Sequence, residues 1–151
     1  MASILRISDA ATLALHALVL LAQAPGRLLP AGEMAARLRV SEAHLAKVMQ
    51  RLAKRGFVTA TRGPKGGYAL ALPADAISLL DAYEAIEGRL VCPTCLMGTP
   101  VCGGKSCMLG GLLASVATQV RDYLAATKVA DMADEPTTVV PAGRRSRALT
   151  Q

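Results

Sequence analysis

RLRVSEAHLAKVMQRLAKRGFVTATRGPKGGYAL, residues 37–70, is the stretch whose reading decides the fold. Leu38-Arg39-Val40-Ser41-Glu42 reads as a helix ending, a tight turn and a new helix starting. Ser41 can cap that new helix by accepting a backbone N–H from its first turn. Leu45, Val48, Met49 and Leu52 then recur at helical spacing and are expected to face a core. Lys47, Gln50, Arg51 and Lys54 take most of the other face. Gly56 stops the helix, and Val58 to Arg62 is a short β-rich run. Gly63-Pro64-Lys65-Gly66-Gly67 forces a turn, after which Tyr68-Ala69-Leu70 returns as a second strand. Helix, turn, helix and a hairpin with a basic tip predict a winged helix-turn-helix within a mainly α fold.

Charge is concentrated in the same place. Between Arg37 and Lys65 stand eight basic residues (Arg37, Arg39, Lys47, Arg51, Lys54, Arg55, Arg62, Lys65) against one acid, Glu42. That stretch is therefore +7 within a chain of net charge +6, and the rest sums to −1. A basic helix stripe beside a basic hairpin tip matches phosphates spaced along a duplex. Few aromatics are available to stack on unpaired bases, which favours double-stranded DNA over RNA. The candidate DNA-binding residues are Arg37, Ser41, Glu42, His44, Leu45, Lys47, Arg51, Lys54, Arg62, Lys65 and Gly66. Ser41 and His44, at the helix start, are expected closest to base edges. Lys65 is expected in or along the minor groove, with Gly66 or Gly67 at positive φ.

The chain has 151 residues, one Phe, three Tyr and no Trp, so packing must rest on Ala, Leu, Val and Met. No apolar run is long enough to span a bilayer. Ala10 to Ala22 mimics a secretory signal, but Asp9 and His16 interrupt it and the reader module follows at once. The expected location is therefore a reducing cytoplasm, with thiols unpaired. There is no Walker loop and no nucleophile–base pair, and the only imidazoles are His16 and His44. An enzyme is not expected.

Elsewhere, Ser8 is expected to cap a first helix running to about Ala24, apolar on nearly every side. Leu28-Leu29-Pro30 reads as a lead-in to a helix over Ala31–Leu38, and Pro73-Ala74-Asp75 as a linker. A short helix is predicted over Ile77–Glu87, with Ser78 as cap and Gly88 closing it. Met108 to about Val129 carries a stripe of Leu109, Leu112, Leu113, Val116, Val120, Tyr123 and Leu124, and such a helix usually needs its own copy across a two-fold axis. The expected organisation is a DNA-binding domain over 1–75, a cysteine loop and dimerisation helix over 76–130, and a disordered tail over 131–151.

All four cysteines lie within sixteen residues, as Cys92-x2-Cys95-x6-Cys102-x4-Cys107, among Gly98, Gly103 and Gly104. Thiolates at this density can hold an iron–sulfur cluster or structural zinc, or can act as redox-active thiols. Soft sulfur ligands serve zinc and iron–sulfur clusters alike, so spacing leaves the metal open. A carrier protein with an incidental basic face is the rival from another class.

At this point the chain resembles the bacterial iron–sulfur-cluster regulators, the IscR-like and NsrR-like winged-helix repressors, over nearly its whole length to about Lys128. The most specific piece is Arg62-Gly63-Pro64-Lys65-Gly66-Gly67-Tyr68, which is similar to the family's wing motif, led into by Leu52 to Val58. The second is a cysteine loop placed just before a long helix that opens Cys-Met-Leu-Gly-Gly-Leu-Leu. The resemblance implies a homodimer on a palindromic operator, with a two-iron or four-iron cluster, zinc being the alternative. It also implies a signal drawn from cluster supply, iron, nitric oxide or redox state. Relatives usually offer three cysteines about five residues apart. Cys102 and Cys107 match the last two, and either Cys92 or Cys95 the first. Where IscR-like proteins have a histidine after the last cysteine, this chain has Gly110. Some relatives take a ligand from the partner's first helix, where this chain offers Asp9, Thr12 and His16, His16 being the best on chemistry.

Overall fold

The computed structural model describes residues 6–91, 95, 97, 107 and 109–134. In chain order these form α1 (Asp9–Ala22), α2 (Ala31–Leu38), α3 (Glu42–Lys54), β1 (Val58–Thr61), β2 (Gly67–Leu70), α4 (Leu79–Glu87), α5 (Gly110–Ala126) and α6 (Val129–Ala133). The architecture is the expected mainly helical winged helix-turn-helix with one small sheet.

The reader module forms for the local reasons its sequence suggests. Ser41 caps α3 by accepting from the His44 N–H at 3.2 Å. The turn before it is closed by Arg39 in the left-handed region at φ 56°, while Val40 N–H donates to Ala35 O at 3.0 Å. Past the far end of α3, Gly56 sits at φ 80°; its N–H reaches Ala53 O and Phe57 N–H reaches Leu52 O, both at 3.0 Å. That paired closure satisfies carbonyls the helix itself leaves open.

The hairpin pairs antiparallel, Val58 with Leu70 through Thr61 with Gly67. It has a neighbour the sequence reading missed. Leu29, expected only as a lead-in, exchanges two 2.9 Å backbone hydrogen bonds with Tyr68 and is fully buried. The close approach explains Gly67, since a Cβ there would stand 2.6 Å from the Leu29 carbonyl oxygen.

Among the described residues the core cluster runs from Ala11 through α3 and α4 to Val129, with the buried Leu113 and Ala117 of α5 outside it. Across the expected boundary near residue 75, α4 and α6 both lie against α1. Ser78 starts α4 with a reciprocal cap, its Oγ accepting from Asp81 N–H at 3.0 Å and its own N–H donating to the Asp81 carboxylate at 3.1 Å.

The C-terminal region differs from expectation in two ways. The long helix stops at Ala126, because Thr127 turns extended and its carbonyl accepts from Leu79 N–H at 2.9 Å. Val129 then donates to Ile77 O at 2.9 Å and opens α6, which buries Val129 and packs Met132 on the core. Residues 131–133 are therefore helical rather than the start of a tail, and 135–151 lie outside the described residues. No helix among the described residues is long and apolar enough to cross a membrane.

Candidate functional site

The outer face of α3 is a cationic ridge. Ala43, Lys47, Gln50 and Lys54 are exposed and fall at helical spacing on one stripe. Arg62 and Lys65 are exposed on the hairpin. A groove between ridge and wing is lined by Glu42, Gln50, Thr61, Arg62, Gly63, Pro64 and Gly66. The wing tip is shaped by glycines in different ways. Gly63 takes φ 110°. Gly66 has no positive φ, but a Cβ there would stand 2.1 Å from the Thr61 carbonyl oxygen. Its requirement is steric, and of the two glycines expected to offer a positive φ it is Gly67, at φ 158°, that has one.

Several expected reader residues are placed differently. Leu45 is fully buried in the core and cannot touch a base edge; the spacing argument wins over its position near the helix start. His44 is half-buried and lines a second groove, with Asp9, Thr12, Leu13 and His16 of α1, Leu38 at the end of α2 and Val40 of the turn. Arg37 is exposed but paired with Glu33 at 3.0 Å. Arg51 is exposed beside the ridge, and its guanidinium donates to the Ile86 carbonyl oxygen at the end of α4. Ser41 and Glu42 remain exposed. Ala43 was missed on this face, and Gln50, though placed on it with Lys47, was left out of the candidate DNA-binding residues.

The approaches to the cysteine loop are held firmly. Gly88 ends α4 at φ 84°. Leu90 N–H then donates to Glu84 Oε1 at 3.0 Å, and its carbonyl accepts from Arg121 Nη1 of α5 at 3.4 Å. Arg121 also faces Glu84 Oε1 at 3.6 Å. Ser8, ahead of α1, donates its backbone N–H to Glu87 Oε1 at 3.3 Å, and its hydroxyl donates to the same oxygen. Tyr83 donates to the Arg6 carbonyl at 2.8 Å, and burial, helped by the nearby Glu87 carboxylate, pushes its hydroxyl pKa above the ordinary tyrosine value.

Of the expected thiol ligands, Cys95 is buried and Cys107 half-buried. The Cys107 carbonyl accepts from Gly110 N–H at 3.1 Å, which joins it to the first turn of α5. Cys92 and Cys102 lie outside the described residues. His16 is exposed on α1, its Nδ1 2.7 Å from the Thr12 carbonyl oxygen, with Asp9 and Thr12 exposed on the same helix. Among the described residues no three His, Cys, Asp or Glu side chains gather as a metal site.

A family model described as Rrf2, iron-dependent transcriptional regulator, matches residues 7–135. The chain belongs to the Rrf2 family. A protein of Aquifex aeolicus is 31% identical over 128 residues, covering 83% of this chain and 89% of its own length. The transcriptional regulator IscR of Erwinia tasmaniensis is 29% identical over 118 residues, covering 78% of this chain and 71% of the relative. Among solved structures, CymR, the global cysteine regulator of B. subtilis, superimposes with a TM-score of 0.74 at 26% identity, covering 85% of this chain and 96% of that one. IscR of T. potens gives a TM-score of 0.66 at 26% identity, covering 85% of each chain. The resemblance to IscR-like regulators is borne out, and this Rrf2 protein is a transcriptional regulator rather than an enzyme.

Proposed function

We propose that this Rrf2 protein is a homodimeric, cytoplasmic repressor that binds a palindromic DNA operator and whose affinity is set by an iron–sulfur cluster on its cysteine loop. The observation that carries the reading is the mounting of the loop: Leu90 at its entry is tied to α4 and α5, and Cys107 at its exit is joined to the first turn of α5. Thiolates are soft ligands suited to iron–sulfur chemistry, and the density of four within sixteen residues fits such a group. Cys102 and Cys107, with Cys92 or Cys95, would hold it, and His16 or Asp9 of a partner's α1 is the candidate for a further ligand. A cluster held there would crosslink the thiolates, and iron shortage, nitric oxide or oxidation would break that crosslink.

Dimerisation is supported by the outer stripe of α5. Leu112 and Tyr123 are 59% and 61% exposed and Leu109, just before the helix, 37%, an apolar patch of the kind that marks an interaction surface. Pairing α5 with its copy would set two α3 helices on one duplex, with Lys47, Gln50 and Lys54 toward the major groove and Lys65 along the minor groove.

A second reading is favoured by the likeness to CymR: a thiol-based regulator with no cluster. Structural zinc on the same thiols is the other alternative. Anaerobic purification with iron, sulfide and zinc assayed together separates these. Iron and sulfide in stoichiometric amount support the cluster; zinc without sulfide, or neither metal, replaces it.

A further inference from the structure

Between Ile86 and Leu90, five residues at the exit of α4 take hydrogen bonds from three other parts of the chain. The last carbonyls of a helix have no partner within it. In α4 that of Ile86 is met by Arg51 of α3. A cation at a helix C-terminus also complements the helix dipole. Glu87 accepts from Ser8, just before α1. Leu90 is gripped on both sides, its N–H by Glu84 and its carbonyl by Arg121. From Leu90 the chain enters the segment that carries the cysteines, and it reaches Cys107 just before the helix that bears Arg121.

Arg51 lies one turn from both Lys47 and Lys54. Salt-bridge reasoning would assign Arg51 to a phosphate, as the charge stripe alone suggests. Its bond to a backbone carbonyl gives it another employment.

We infer that Arg51 is a positioning residue that couples the exit of α4, and so the cysteine loop, to the recognition helix. This rests on the reading above that α3 binds duplex DNA and that the loop governs it. Coupling between two sites is reciprocal, so DNA on α3 must also be felt at Leu90.

The test uses the full chain and a duplex recovered by the wild-type protein from a random-sequence pool. Hydrogen exchange at the Gly88 and Leu90 amides is measured with and without that duplex, and affinity is followed across a salt series. In the wild type, duplex binding is expected to slow Leu90 exchange by about fivefold, the lower end of ordinary site–site coupling. Arg51→Met is expected to abolish that slowing while leaving the salt slope unchanged. Arg51→Lys should retain part of it, and Glu84→Gln should weaken it from the other side, which keeps the test decisive if Arg51→Met fails to fold. A slope lowered by about 0.9 in Arg51→Met would make Arg51 a phosphate contact and overturn the inference. So would undiminished slowing in that variant, or none in the wild type. Slowing in a protein that holds no iron would overturn the cluster and leave the coupling standing, whereas recovery of no duplex would overturn both.

Discussion

Single residues on the reader divide by what their neighbours allow. Gly66 faces the Thr61 carbonyl so closely that Gly66→Val must open the wing tip. We expect that variant to lose duplex affinity by about tenfold or more, or ~1.4 kcal/mol, with its helical circular dichroism intact; affinity equal to wild type would show that the wing is not used. Lys47 and Lys54 are exposed on the ridge. Replacing either with Ala should lower the slope of log affinity against log salt by about 0.9. Leu45 behaves otherwise. As a fully buried side chain, Leu45→Ala should act through stability, costing ~2–5 kcal/mol, and any loss of binding should track the unfolded fraction.

Elements show which parts of the fold were legible in the sequence and why. Helices α1 to α4 and both strands were readable because their signals are local: Ser8, Ser41 and Ser78 as caps, Gly56 and Gly88 as stops, and apolar residues at period 3.6 or 2. Ser78→Ala should accordingly cost about 1 kcal/mol in urea unfolding. What escaped the sequence reading depends on distant partners. Nothing near Thr127 announces a helix end; the helix stops there because Ile77 to Leu79, some fifty residues earlier, offers a short bridge. Leu29 and Tyr68, or Arg51 and Ile86, likewise meet only once the fold exists. The basic stripe was legible as a charge pattern, but which cations stay free for phosphate was not. Tyr83 adds a pH dependence. Its raised pKa means that ionisation opposes folding. Its stabilising effect is complete below the ordinary tyrosine value of about 10 and is lost as pH rises through the higher folded value; Tyr83→Phe should remove that loss in alkaline denaturation.

For the whole molecule, the reading requires two protomers and a loop that speaks to both. Leu112 and Tyr123 are the residues to test for pairing, since Leu113 is buried within its own chain and its loss would damage the protomer itself. A Leu112→Asp variant should sediment as a monomer and lose operator binding in step, while an unchanged dimer would move the interface elsewhere. The central claim is that what the cysteines hold sets affinity for DNA. The most direct measurement is the affinity of one duplex, at one salt concentration, for protein reconstituted anaerobically with iron and sulfide and for the same protein stripped by chelator. The account predicts values that differ by at least about fivefold, with the difference lost in Cys107→Ser. Equal affinities at full iron and sulfide occupancy would contradict it.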